Sequence, residues 1–126
     1  MEDKQLTILI SEDEVDINNL LTLVLQLENF TVLQAFDGLT AYETFLAHKD
    51  EVDLMVTDLG LPKMGGVELI EKVRGLKPSV KIIGASGFGR VNVREEVMNA
   101  GADEFMPKPY ITADLVLLAK KLLGRS

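Results

Sequence analysis

Short apolar runs alternate with amphipathic segments along the chain, and the alternation occurs five times. Within each run apolar residues are not interleaved with polar ones, which is typical of strands in a parallel sheet covered by helices on both faces. The predicted strands are Leu6–Ile10, Thr31–Phe36, Asp53–Thr57, Val80–Ala85 and Ala102–Met106. Five strand–helix units in series predict right-handed crossovers and an open parallel sheet between two helical layers, an α/β fold.

Apolar residues at helical spacing mark one face of each segment that follows a strand. In chain order they are Ile17, Leu21, Val24 and Leu25; Leu39, Tyr42, Phe45 and Leu46; Leu69, Ile70, Val73 and Leu76; Val93, Val97 and Ala100; and Ile111, Leu115, Leu118 and Leu122. Thr112 is the predicted N-cap of the last helix, because its hydroxyl can accept a hydrogen bond from a free backbone N–H. The pattern therefore predicts five helices, each with one face on the sheet.

The last helix has more apolar residues than a core stripe requires. Val116 and Leu123 lie to one side of the stripe and Leu117 lies on the other, at 100° per residue. Two interpretations stay open. These residues belong to a wider buried stripe, or with Tyr110 and Ile111 they form a surface for a partner or a second copy.

Length and charge limit the classes of function. The 126 residues predict one domain spanning 1–126, and the absence of cysteine excludes disulfides and thiolate metal sites. A net charge of -7, with scattered lysines and arginines, argues against nucleic-acid binding. No apolar stretch approaches the ~18 residues of a membrane span, and the N-terminus lacks signal-peptide features. We therefore expect a cytoplasmic protein without a membrane contact.

Acidic residues follow two of the predicted strands. Glu12 and Asp13 come after the first and Asp58 ends the third, so the carboxyl edge of the sheet should bring three carboxylates together. Mg²⁺ relieves the repulsion in such a cluster and takes oxygen ligands. We expect Asp13 and Asp58 to bind Mg²⁺ directly, Glu12 through water, and Gly60 through its backbone carbonyl. The alternative is that Glu12 and Asp13 only cap the first helix.

A lysine and a serine lie at the remaining strand ends. Lys108 follows the fifth strand, where its ammonium can pair with Asp58 at rest and with a phosphoryl oxygen afterwards. Ser86 follows the fourth strand and can donate a hydrogen bond to another phosphoryl oxygen. Together with the acidic cluster, these residues predict a site for phosphoryl transfer to Asp58.

Four separated motifs resemble the receiver domains of two-component response regulators, including the chemotaxis regulators. They are Glu12-Asp13, residues 57–66, Ala85-Ser86-Gly87 and residues 101–109, and they cover essentially the whole chain in order and spacing. The resemblance implies a flavodoxin-like three-layer sandwich with strand order 2-1-3-4-5. It also implies that a histidine kinase or histidine phosphotransfer protein donates a phosphoryl group to Asp58, with Mg²⁺ as cofactor.

The resemblance further implies a switch. Phosphate on Asp58 would draw Ser86 inward, and Phe105 would rotate toward the space that Ser86 vacates, which repacks the surface of helix 4, strand 5 and helix 5. An output partner or a second copy of the chain would bind that surface. The domain would promote only its own phosphorylation and dephosphorylation, and would not act as an enzyme on other substrates.

Two other functions compete with this hypothesis. An aspartyl-phosphate phosphatase of the haloacid dehalogenase type also uses a strand-end aspartate and Mg²⁺, but it needs a second aspartate two residues on, where this chain has Gly60. A degenerate receiver would act only as an interaction module, but such receivers usually lose an acidic-pair residue, the acceptor or the lysine. The chain departs from the commonest receiver pattern in having Glu-Asp as its acidic pair and serine in place of threonine at position 86.

Overall fold

Strands and helices alternate in the computed structural model, which describes residues 5–87 and 92–125. The strands are β1 (Thr7–Ser11), β2 (Thr31–Ala35), β3 (Val52–Asp58), β4 (Lys81–Ser86) and β5 (Glu104–Pro107). The helices are α1 (Val15–Leu27), α2 (Gly38–Ala47), α3 (Gly66–Leu76), α4 (Val93–Ala100) and α5 (Thr112–Leu122). The five strand–helix units predicted from the hydrophobic pattern are confirmed.

All five strands pair in parallel in the order β2-β1-β3-β4-β5. This is the flavodoxin-like order that the resemblance implied. The order reverses direction between β1 and β3, because the chain first adds β2 on one side and then β3 to β5 on the other. Ligands of such sheets lie at the carboxyl ends of the strands beside this reversal.

The two faces of the sheet form two separate apolar cores, because successive strand residues point to opposite faces. On one face, Leu9 and Met55 pack with residues of α2, α3 and α4. On the other, Ile8 and Leu54 pack with residues of α1 and α5. The result is the predicted three-layer sandwich.

Two glycines allow helices to approach the strands closely. A Cβ atom on Gly66 would lie 2.3 Å from the backbone oxygen of Asp58, so α3 begins directly against the end of β3. A Cβ atom on Gly84 in β4 would lie 2.5 Å from Cγ1 of Val97, the one fully buried residue of α4. Val97 thus occupies the space that a side chain at position 84 would need, and α4 is seated on β4 by this contact.

Arg74 connects the loops that precede β4 and β5, at the end of the sheet opposite the carboxyl ends of the strands. Its guanidinium donates hydrogen bonds to the carbonyl oxygens of Pro78, Val80 and Gly101, and to Oδ2 of Asp103 at 2.7 Å. The same Asp103 oxygen accepts the backbone N–H of β4 at 2.8 Å. These hydrogen bonds hold the residues just before β5 against the end of α3.

Some predictions about helix faces are wrong. Leu39 and Leu46 are 42% and 46% exposed, so they lie outside the buried stripe of α2. Ile111 is 61% exposed and precedes α5. Phe45 is buried as predicted, and the other buried residues of α2 are Gly38 and Ala41, so the buried stripe is narrower than the periodicity suggested.

The predicted cap of α5 is also wrong. Thr112 is the first helical residue, and Ile111 occupies the cap position without a side-chain hydrogen bond. Leu117, which follows in the same helix, is 67% exposed, whereas Val116 and Leu123 pack partly buried against the core. The wider buried stripe therefore holds for two of the three extra apolar residues. Within the described ranges, no helix is both long and apolar enough to cross a membrane.

Candidate functional site

The carboxyl edge of the sheet brings the predicted site residues together. Ser11 and Asp58 end β1 and β3, and Ser86 ends β4. Lys108 follows β5, and its backbone N–H donates to the carbonyl of Ser86 at 2.8 Å. Residues separated by up to about a hundred positions in the chain therefore share one end of the molecule because the strands are parallel.

Three carboxylates form the centre of the site. One oxygen each of Glu12, Asp13 and Asp58 lies within 4.8 Å of the others. Glu12 is fully buried and Asp58 is 8% exposed, whereas Asp13 is exposed to solvent. Three carboxylates at this distance repel one another unless a cation is present. Its all-oxygen donor set, open to solvent on the Asp13 side, fits a hard divalent cation that keeps several waters.

Lys108 supplies positive charge to the same cluster. Its Nζ lies 2.9 Å from Oε1 of Glu12, 3.3 Å from Oδ2 of Asp58 and 3.8 Å from Oε1 of Glu14. The lysine side chain is only 14% exposed, so solvent screens these pairs weakly. The predicted pairing of Lys108 with Asp58 is present, and Glu12 is the closer partner.

The charges perturb one another. Burial raises the pKa of the Glu12 carboxyl above its usual range, and the hydrogen bond and charge of Lys108 only partly oppose this. Burial acts to lower the pKa of Lys108, but pairing with Glu12 and the charge of Asp58 outweigh it and raise the pKa. The ammonium is therefore held protonated beside the carboxylates.

A cleft of about 500 Å³ opens above Asp58, and Gly60, Ser86 and Lys108 are among its lining residues. A Cβ atom at Gly60 would lie 4.0 Å from Oδ2 of Asp58, so a larger residue there would stand beside the carboxylate. Ser86 is 6% exposed at the cleft wall. The cleft gives a small anionic group a route to Asp58 past a lysine and a serine.

Phe105 lies one strand away from this cleft. It pairs with Gly84 in the β4–β5 register, and it is partly buried against the core that contains Val97. Ser86 pairs with Pro107 in the same register. Ser86 and Phe105 thus occupy adjacent strands, close to the point where Val97 of α4 packs against Gly84.

Two contributors to the site were missed at the level of sequence. The ring of Tyr110 lies 5.7 Å from the Lys108 ammonium, and Asn18 binds the backbone of Glu12 from inside α1. Asn18 had a signal, because it interrupts the apolar face that Leu21 and Leu25 define. Tyr110 had none, since an aromatic residue after Lys-Pro is equally consistent with core packing. The peptide bond between Lys108 and Pro109 is cis.

Comparison with known proteins identifies the family of the chain. The sequence model of the response regulator receiver domain matches residues 8–120. The chain belongs to the response regulator receiver domain family. Among curated relatives, the alkaline phosphatase synthesis transcriptional regulatory protein SphR of Synechococcus elongatus is 36% identical, over 94% of this chain and 49% of SphR. The transcriptional regulatory protein SrrA of Staphylococcus aureus is also 36% identical, over 94% of this chain and 48% of SrrA. The receiver chain thus spans about half the length of these relatives.

Solved structures agree on the receiver fold. The receiver domain of NtrX from Brucella abortus has a TM-score of 0.84 at 27% identity, with 94% of this chain and 99% of that chain covered. CheY in the CheX-CheY-BeF3-Mg²⁺ complex from Borrelia burgdorferi has a TM-score of 0.87 at 24% identity, covering 94% and 89% of the two chains. The resemblance deduced from the four motifs is therefore confirmed.

Proposed function

We propose that this receiver is a phosphoacceptor domain of a two-component phosphorelay and that Asp58 accepts the phosphoryl group. The observation that carries the proposal is the geometry around Asp58, whose carboxylate lies within 4.8 Å of two other carboxylates and 3.3 Å from the Lys108 ammonium. A histidine kinase or a histidine phosphotransfer protein would be the donor. A carboxylate oxygen of Asp58 attacks phosphorus, the bond from phosphorus to the donor nitrogen breaks, and an acyl phosphate forms.

The other residues of the cleft assist this transfer by position and charge. Lys108 exchanges part of its pairing with Asp58 for a phosphoryl oxygen, and Ser86 donates a hydrogen bond to another. Glu12, Asp13, Asp58 and the Gly60 carbonyl would hold Mg²⁺, with Glu12 acting through water because its two carboxylate oxygens already contact Lys108 and the Glu14 backbone N–H. When bound, Mg²⁺ neutralises charge on the transferred group.

The readout would begin at Ser86 and Phe105. Movement of the Ser86 hydroxyl toward the phosphoryl group opens space on the face of the sheet where Phe105 packs partly buried. Rotation of Phe105 into that space alters the surface of α4, β5 and α5. Ile111 and Leu117, both more than half exposed, give this surface apolar contacts for an output partner or a second copy.

The remaining assignments follow the same proposal. Residues 1–126 form one receiver domain that acts in the cytoplasm, without membrane contact. The charge of -7 argues against nucleic-acid binding by this domain. The domain promotes its own phosphorylation and dephosphorylation and is not an enzyme toward other substrates. Gly60 lacks the acid–base group that an aspartyl-phosphate phosphatase needs two residues after its nucleophile.

The experiment is phosphorylation with a small acyl phosphodonor. Purified protein is incubated with the donor and Mg²⁺, and the intact mass is recorded. We expect one added phosphoryl group that is stable in acid and labile in base, and no addition when a chelator replaces Mg²⁺. An adduct of equal yield in Asp58→Asn, or no adduct in the wild type, would defeat the proposal.

A further inference from the structure

A fully buried asparagine lies in the first turn of α1, on the face that packs against the sheet. Asn18 is 0% exposed, and its neighbours on that face, Leu21 and Leu25, are apolar. Asparagine is unfavourable in a helix interior, and a buried amide costs free energy unless its hydrogen bonds are made. Its presence at this position therefore requires a compensating set of contacts.

Those contacts connect three elements at the carboxyl edge of the sheet. The Asn18 Nδ2 group donates to the backbone oxygens of Glu12 and Ala35, both at 3.0 Å. Its Oδ1 accepts from Oγ1 of Thr22 at 3.3 Å and from Nε2 of Gln34 at 2.9 Å. Two carbonyls on one side and two donors on the other permit only one orientation of the amide.

One of the two hydrogen bonds that Asn18 donates holds the backbone of Glu12, the first residue of the acidic pair Glu12-Asp13. Glu12 is held by its own N–H, which donates to the Ala35 oxygen at 3.1 Å, and by the bond from Asn18 to its carbonyl. This backbone position directs the Glu12 carboxylate at the Lys108 ammonium, 2.9 Å away. A rotation of this peptide would displace Glu12 and Asp13 together, since they are adjacent.

We propose that Asn18 is a positioning residue for the acidic pair, acting through the Glu12 backbone to fix the carboxylates around Asp58. The inference rests on the proposed function, because it assigns the purpose of the network to Mg²⁺ binding and phosphoryl transfer. Removing groups that orient metal ligands typically lowers metal affinity ~10–100-fold. A network that served stability alone would leave metal affinity unchanged in folded variants.

The chain offers matched variants for the test. Asn18→Leu removes both donors at similar volume. Thr22→Val deletes a hydrogen bond of the same network but leaves the bonds to Glu12 and Ala35 intact. Asn19→Leu alters an exposed neighbour whose side-chain oxygen accepts a hydrogen bond from Gln34. For each variant, the Mg²⁺ dissociation constant is measured by calorimetry, the phosphorylation rate with a small acyl phosphodonor, and the free energy of unfolding in urea.

We expect Asn18→Leu to raise the Mg²⁺ dissociation constant about tenfold or more and to slow phosphorylation. Thr22→Val should lose stability while keeping wild-type affinity, and Asn19→Leu should match the wild type in both. Wild-type affinity in folded Asn18→Leu, or an equal loss in Thr22→Val, would overturn the inference and leave the proposed function standing. Wild-type protein that neither binds Mg²⁺ nor accepts phosphate would overturn both.

Asn18→Ser and the wild-type protein provide a second route if Asn18→Leu fails to fold. The serine keeps one donor, so its affinity should fall between those of wild type and a full loss. In wild-type NMR spectra, the Asn18 side-chain amide protons should exchange slowly and shift on addition of Mg²⁺. Exchange as fast as that of the exposed Asn29 amide, with no shift, would contradict the proposal.

Discussion

Adding a single methyl group at Gly84 tests how α4 is held on the sheet. The Cβ atom of Gly84→Ala would meet Cγ1 of Val97 at 2.5 Å, Cγ2 of Val97 at 3.3 Å and Cδ1 of Ile70 at 3.4 Å. Val97 cannot rotate away, because a β-branched side chain in a helix has essentially one χ1 rotamer. The helix must therefore move outward by about 1 Å to restore ordinary carbon contacts near 3.5 Å.

Overpacking of this kind costs ~1–3 kcal/mol. Alanine recovers ~0.5–1 kcal/mol by restricting the unfolded chain. The net expectation for Gly84→Ala is a loss of ~0–2.5 kcal/mol in the free energy of unfolding. Gly75→Ala is the matched control, since its Cβ atom meets nothing within 4 Å in α3, and it should gain ~0.5–1 kcal/mol.

Urea unfolding of both variants and the wild type measures these differences. Combining Gly84→Ala with Val97→Ala removes the clash, so the double variant should be more stable than the sum of the two single losses predicts. Additive losses, or a Gly84→Ala variant as stable as Gly75→Ala, would show that the Gly84–Val97 contact does not seat α4.

Three further variants test the charged groups. Lys108→Met leaves the buried Glu12 carboxylate without its cation, so the variant should lose roughly 1–3 kcal/mol in the free energy of unfolding at neutral pH. Mg²⁺ should stabilise this variant more than it stabilises the wild type, as measured by urea unfolding with and without Mg²⁺. Arg74→Met removes the guanidinium from three carbonyls and from the Asp103 carboxylate, which keeps its bond from the Ile82 N–H. The variant should lose about 1–3 kcal/mol in the free energy of unfolding, with faster hydrogen exchange at the start of β5. Asp37, the N-cap of α2, has its pKa lowered chiefly by the backbone N–H of Thr40. Its stabilisation is therefore present above the unfolded pKa and lost as pH falls through the lower folded pKa, so the stability difference between wild type and Asp37→Ala should disappear in strong acid.

Each of these expectations has a contrary result. An equal gain from Mg²⁺ in wild type and Lys108→Met would mean that lysine and metal do not share the carboxylates. Unchanged amide hydrogen exchange at the start of β5 in Arg74→Met would show that the guanidinium does not stabilise that end of the strand. A pH-independent difference for Asp37→Ala would assign the loss to packing and not to the carboxylate cap.

The sequence predicted the site better than it predicted the helix surfaces. Glu12, Asp58 and Lys108 could be grouped because parallel strands end at one edge, a rule that needs only strand order and direction. Leu39 and Leu46 were misassigned because periodicity gives the direction of an apolar stripe and not its width. That width depends on how closely the neighbouring helix packs, which is a tertiary property.

Asn18 shows a second limit of reasoning from sequence. A polar residue on an apolar helix face indicates a buried partner, but the partners Ala35 and Gln34 lie on β2, and no local pattern connects that strand to Asn18. The cap of α5 is a third case, because the backbone angles at Ile111 and not the side-chain preference of Thr112 decide where the helix begins.

The central claim, that Asp58 is the phosphoacceptor, is tested most directly by mapping the modified residue. Protein treated with a small acyl phosphodonor and Mg²⁺ is reduced with borohydride, which converts an aspartyl phosphate to homoserine, and peptides are sequenced by tandem mass spectrometry. We predict homoserine at position 58 alone, dependent on Mg²⁺ and absent without the donor. Homoserine at another aspartate, or an unmodified Asp58 peptide under all conditions, would contradict the account.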